Sequence, residues 1–201
     1  SQQVSELLRK GFEALQRGAA REAADFCRRA IALDPSQPQA HFLVGLVALD
    51  MDDRRTAAMA FGSVTKLDPK NAAAWAQLAR LFMRQGQPAR AEKALAEAIE
   101  QAPSDPPVAD LIGVVSSMLG DQREAKRWYR IAHAKAPENE EFAVNLATAE
   151  MFLGENDKAT ETLRPILARK KPPAQAEWLY SSIEKQTETR RPLSLLQRAK
   201  E

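Results

Sequence analysis

The stretch AAAWAQLARLFMRQGQPARAEKALAEAIEQAP, residues 72–103, decides how this chain folds. Trp75, Leu78, Ala79 and Phe82 recur at helical spacing, and Ala91, Leu95 and Ala98 do so again after Gly86. Pro103 ends the second run, because proline cannot continue a helix. It belongs to a series: Pro35, Pro69, Pro103 and Pro137 are each separated by 34 residues, the mark of a repeat array. Setting each such proline at position 32 gives repeats 1 to 5 at 4–37, 38–71, 72–105, 106–139 and 140–173. Position 20 is then Ala23, Ala57, Ala91, Ala125 and Ala159, and position 8 is Gly11, Gly45, Ala79, Gly113 and Ala147. Position 15 is Gly18, Asp52, Gly86, Gly120 and Gly154, so seven of the eight glycines fall at position 8 or 15.

Each placement has a physical reason. Positions 8 and 20 lie where the two helices of one pair cross, and a side chain larger than a methyl there pushes the backbones apart. Position 15 ends the first helix, where glycine adopts the left-handed conformation. Bulky residues fill the remaining contacts, with Phe61, Leu95, Tyr129 and Leu163 at position 24. Cys27 takes that position in repeat 1 and reads as a packing cysteine. Strands are not expected, because alternating runs of Val, Ile and Thr are absent.

This pattern resembles the tetratricopeptide repeat, whose signature is Trp-x2-Leu-Gly-x2-Tyr, then Ala-x3-Phe, then Pro. Repeat 3 carries the resemblance furthest, through Trp75, Leu78, Ala79, Phe82, Ala91, Leu95, Ala98 and Pro103. The resemblance implies an all-α fold: a right-handed solenoid of antiparallel helix pairs, with five repeats and a capping helix over 174–187. Residues 188–201, with Leu193, Leu195 and Leu196, read as a tail or the start of a missing domain. Repeat 5 departs from the pattern. Glu150 stands where an aromatic is usual, and Pro165 falls inside the second helix, which predicts a kink or an early end near Arg164. Trp128 and Tyr129 are adjacent, so Tyr129 is the expected core member and Trp128 the half-exposed one. Trp178, Leu179 and Ile183 are expected to cover the end of repeat 5.

Chemistry is hard to find. The two histidines, His41 and His133, are almost three repeats apart, and no HExxH, CxxC or phosphate-binding glycine loop is present. His41 reads as a packing residue with one polar edge. The acidic run Asp50–Arg55 fits no calcium loop and reads as a solvated turn. We therefore expect no enzyme activity, no metal, no cofactor and no small-molecule substrate. With 29 basic and 27 acidic residues, net +2, neither nucleic acid nor a membrane is expected as partner. RNA-binding helical repeats predict a period of 35 and a basic groove, and neither is found. A single cysteine suits a reducing, cytoplasmic setting.

What remains is protein binding. In tetratricopeptide proteins the first helix of each repeat lines a concave groove, and positions 2, 5, 6, 9, 12 and 13 face it. The resemblance thus assigns Leu8, Arg9 and Phe12 in repeat 1, Phe42, Leu43 and Leu46 in repeat 2, and Gln77, Arg80 and Arg84 in repeat 3. It adds Asp110 and Val114 in repeat 4, and Asn145 and Thr148 in repeat 5. The surface grades from apolar to cationic, which suits a protein or peptide partner with apolar anchors and a carboxylate. Leu43 and Leu46 have an alternative role as plain core. The carboxylate clamp of chaperone-binding members is not reproduced, since Leu8, Phe12 and Leu43 replace its Lys and Asn residues. A scaffold or adaptor is thus the leading reading. The alternatives are a self-association module, or the non-catalytic N-terminal region of a larger bacterial enzyme such as a sulfotransferase.

Overall fold

Five turns in this molecule close with the same hydrogen bond, and they set its architecture. A computed structural model describes residues 2–190. In each turn the N–H of position 16 donates to the carbonyl of position 11: Ala19 to Ala14, Asp53 to Ala48, Gln87 to Phe82, Asp121 to Ser116 and Glu155 to Glu150, all at 2.8–2.9 Å. This is the closure of a helix that ends on a left-handed residue. That residue is Gly18 (φ 74°), Gly86 (φ 68°), Gly120 (φ 88°) or Gly154 (φ 76°), and in repeat 2 it is Asp52 (φ 55°). Aspartate tolerates this region better than most side chains. The acidic run in that turn thus serves the backbone, with Asp53 accepting from the Thr56 N–H at 3.0 Å to cap the next helix.

The first helices are α1 (Gln2–Gln16), α3 (Pro38–Asp50), α5 (Ala72–Arg84), α7 (Pro106–Met118) and α9 (Glu140–Phe152). The second helices are α2 (Ala20–Leu33), α4 (Arg54–Leu67), α6 (Pro88–Glu100), α8 (Gln122–Lys135) and α10 (Asn156–Leu167), and α11 covers Ala174–Arg190. The described residues hold no strand. The helices fall into two compact bodies divided between Pro103 and Ser104. In the first, α1 packs on α2, α3 on α4 and α5 on α6, with α2–α3 and α4–α5 joining the pairs. In the second, α7 packs on α8 and α9 on α10, α8 touches α9, and α11 lies on α9 and α10. The leucine-rich stretch 191–201 lies outside the described residues.

The helix crossings follow a size rule. A Cβ added to Gly45 would sit 2.6 Å from the Phe61 ring, and one on Gly113 would sit 2.6 Å from the Tyr129 ring. Where position 24 is an aromatic, position 8 is therefore bare backbone. Where position 24 is Leu95 or Leu163, position 8 is Ala79 or Ala147, and all four are buried. Repeat 1 follows a third solution. Cys27 is small, and the space over Gly11 is filled by Leu43, whose Cδ2 would meet an added Cβ at 2.6 Å. Burial pushes the Cys27 thiol up to about 11, so it is a packing group and a poor nucleophile at neutral pH.

Neighbouring repeats are also tied through the proline. The Trp75 indole N–H donates to the Pro69 carbonyl at 2.8 Å, and His41 Nε2 meets the Pro35 carbonyl at the same distance. His41 thus reproduces the polar edge of the tryptophan it replaces.

Four expectations need correction. Trp128 is buried, with 2% exposure, because α8 is covered by both α7 and α9; its indole N–H donates to Glu124 at 2.7 Å. Trp178 is 66% exposed, so the cover on repeat 5 comes from Ala176, Leu179 and Ile183 packed against Leu163 and Ile166. The helix bearing them runs three residues past its expected end, to Arg190. α10 does not end near Arg164: it runs through Pro165 to Leu167 and has 12 residues against 13 or 14 in the other second helices. Glu150, in place of the usual aromatic, is buried and accepts from the Thr162 hydroxyl at 2.9 Å. Burial holds its carboxyl above the usual range.

The size rule is testable by a double-mutant cycle read by urea unfolding. Gly113→Ala should lose about 1–3 kcal/mol to overpacking. In the Tyr129→Leu background, which copies repeats 3 and 5, most of that loss should vanish, leaving a coupling of about 1 kcal/mol or more. Additive effects would refute the pairing.

Candidate functional site

The residues expected to face the groove divide into three groups. Leu43 is the plain correction. It has no exposure and belongs to the core cluster with Val4, Leu7, Leu8 and Cys27, where it fills the space above Gly11. It offers no surface to a partner. Leu8 sits in the same cluster with 8% exposure.

A second group stays accessible in the first body. Phe12 is 36% exposed. Phe42 is half-buried and meets Phe61 edge to face at 5.3 Å between ring centroids. Leu46 is half-buried. Arg9 is exposed but engaged by Glu6 and Glu13 on its own helix, so its charge is already answered. Arg80 is half-buried and donates to the Gln77 side-chain oxygen at 2.7 Å. Burial, and then the charge of Arg84, hold the Arg80 guanidinium below its ordinary value. Among the described residues no carboxylate forms an ion pair with Arg80 or Arg84.

The third group lies in the second body. Asn145 donates its amide N–H to the Asp110 carboxylate at 2.9 Å, bridging α9 to α7. Asp110 is buried, with 7% exposure. Burial pushes its carboxyl up to about 6, against the Asn145 hydrogen bond and with help from the Glu141 charge. Val114 packs beside Tyr129 and Leu146, and the Thr148 hydroxyl turns back to the Val144 carbonyl at 2.7 Å. The Asp110–Asn145 pair escaped the sequence reading as a pair; its signal is a spacing of 35, one repeat plus one residue, between two groove positions.

Helix pairs of this length, closed by left-handed turns and locked by small residues at the crossing, already point to one family. Residues 48–114 match the family model of the tetratricopeptide repeat. That stretch carries tetratricopeptide repeats. Three solved tetratricopeptide-like structures share the fold at low identity. PilF of Pseudomonas aeruginosa aligns with a TM-score of 0.77 at 20% identity, over 94% of this chain and 86% of that one. A thermophilic TPR protein of Thermus thermophilus aligns with a TM-score of 0.70 at 20% identity, over 90% of this chain and 98% of that one. MamA of Desulfovibrio magneticus aligns with a TM-score of 0.60 at 15% identity, over 96% and 99%. No curated protein matches the sequence. Among the described residues, no helix is long and apolar enough to cross a membrane.

Asp110 predicts a pH dependence. Its folded-state value of about 6 lies above its ordinary value of 3.8, so its contribution to stability is full below about pH 4 and is lost as pH rises through 6. Asp110→Asn keeps an acceptor for Asn145 and carries no charge. The variant should match wild type in urea unfolding at pH 4 and exceed it by about 1–3 kcal/mol at pH 7.5. An equal difference at both pH values would refute the assignment.

Proposed function

We propose that this chain is a protein-interaction scaffold that holds a partner segment on the first helices of its repeats. The observation that carries the reading is Arg80: a half-buried guanidinium with no carboxylate partner, flanked by the second cation of Arg84. A half-buried cation answered only by an amide oxygen favours an incoming carboxylate, which forms a short, charge-assisted and bidentate contact. Phe12, exposed, and Leu46, half-buried, supply apolar surface on the same set of helices, which suits an anchoring side chain. The partner segment therefore carries one or two large apolar residues and a carboxylate. A non-catalytic role fits the consumption of glycines, prolines and the cysteine by packing and turns. The lone buried cysteine suits a reducing, cytoplasmic setting.

The test begins with capture of a partner from the native host and its identification by mass spectrometry. Its affinity for wild type, Arg80→Glu and Leu46→Asp is then measured by calorimetry, with circular dichroism as the folding check. Charge reversal at Arg80 should weaken binding by about tenfold or more, which corresponds to about 1.4 kcal/mol or more. Unchanged affinity in both folded variants would sink the assignment.

A further inference from the structure

Gly62 is the eighth glycine, and neither a turn nor a crossing accounts for it. It sits inside α4 with helical backbone, and a Cβ added there would meet nothing within 4 Å. A glycine inside a helix is destabilising by about 0.5–1 kcal/mol relative to alanine. Its position in the repeat is 25, where repeats 1, 4 and 5 carry Arg28, Arg130 and Arg164. Three residues on, at position 28, stands Thr65, where repeats 1, 3 and 5 carry Ile31, Ile99 and Leu167. The Thr65 hydroxyl turns back to the Gly62 carbonyl at 3.1 Å. This flank of α4 has thus lost side-chain volume twice, one turn apart. The space is a cleft of about 620 Å³ between α4, α5 and α6, within the first body.

The lining has two characters. Trp75, Leu78 and Phe82 form an apolar floor from α5, and Met59, 68% exposed, overhangs it from α4. Trp75 is held by its bond to Pro69, and the Arg90 guanidinium lies 4.0 Å from the Phe82 ring centroid. Cations line both walls: Arg55 and Lys66 on α4, Arg90 and Lys93 on α6, against the single acid Glu97. Among the described residues none of these four cations is in an ion pair, although Arg54 next door is paired with Asp52. On α5 the floor residues point away from Gln77, Arg80 and Arg84, which lie on the opposite side of the helix at a turn of about 100° per residue. The cleft is therefore separate from the proposed groove.

We propose that this cleft is a second docking site, which takes an acidic protein segment that inserts one large apolar side chain between flanking carboxylates. The floor accepts the side chain, and the cations on both walls, none of them in an ion pair although Arg90 also donates to the Gln87 side-chain oxygen at 2.7 Å, accept the acids. The spacing favours a segment over a small anion. Arg55 and Lys66 are eleven residues apart on one helix, about 16 Å at 1.5 Å per residue, so no single small anion meets both. An extended peptide covers that span with about five residues.

The test uses the full chain and a fluorescein-labelled heptapeptide with one central Phe and six Asp or Glu residues, titrated by fluorescence anisotropy. Wild type should bind it saturably, with weakening as salt rises. Gly62→Arg installs the side chain that three other repeats carry there. It should raise or preserve the melting temperature and weaken the peptide by about tenfold, about 1.4 kcal/mol. That combination separates occlusion of the cleft from electrostatics, because an added cation alone would tighten an acidic peptide. Lys93→Glu should also weaken binding, and a peptide with Ala in place of Phe should bind worse. The same peptide carries what the proposed groove takes, so the titration is repeated in the Arg80→Glu background, where the loss caused by Gly62→Arg should persist; failure at one site is then distinguishable from failure at the other. Absent saturable binding, equal or tighter binding to folded Gly62→Arg, or indifference to the Phe→Ala change each overturns the proposal.

Discussion

Close approach of the two helices in each pair is the constraint on which everything else depends. Two helices pack near enough to exclude water only if their side chains at the crossing sum to a fixed volume. Each repeat meets that sum differently: no side chain at Gly45 or Gly113 against an aromatic, a methyl at Ala79 or Ala147 against leucine, and a borrowed Leu43 in repeat 1. Once the crossing is set, the turn before it has little freedom. All five turns then close with the same backbone bond. The faces left over, on the first helices and along the flanks of the second, are where binding is free to evolve without disturbing the fold.

The fold was largely legible in the sequence for this reason. Glycine, alanine and proline at fixed intervals report backbone geometry directly, since each has a steric property that no other residue shares. The helix boundaries follow: α3, α5, α7 and α9 are 13 residues each and begin in strict register.

The candidate site was less legible, and the residues show why. Leu43 is assigned to the groove by its position in the repeat, but the position does not reveal that Cys27 is too small to cover Gly11 and that a leucine from the next repeat must do so. Trp128 has the same difficulty: adjacency to Tyr129 suggests opposite faces, yet a second helix covered on two sides buries both. Asp110 carries a single negative charge in sequence and a desolvated, amide-bonded one in the fold. In each case the deciding contact comes from a different repeat, and a periodic reading treats repeats as equivalent. Gly62 is the reverse case: it stands out in the sequence as the glycine that fits no rule, and only the structure shows the space it leaves.

The size rule at the crossings has a consequence for how such a chain can be cut and rejoined. Repeats 2 and 4 share the glycine–aromatic fit, and repeats 3 and 5 share the alanine–leucine fit. A graft that exchanges first helices between 2 and 4, or between 3 and 5, preserves steric complementarity. An exchange between 2 and 3 gives one crowded crossing and one hollow one. The natural cassette for shuffling or duplication is therefore one whole repeat with both of its helices, except that repeat 1 must keep the Leu43 of repeat 2 beside it.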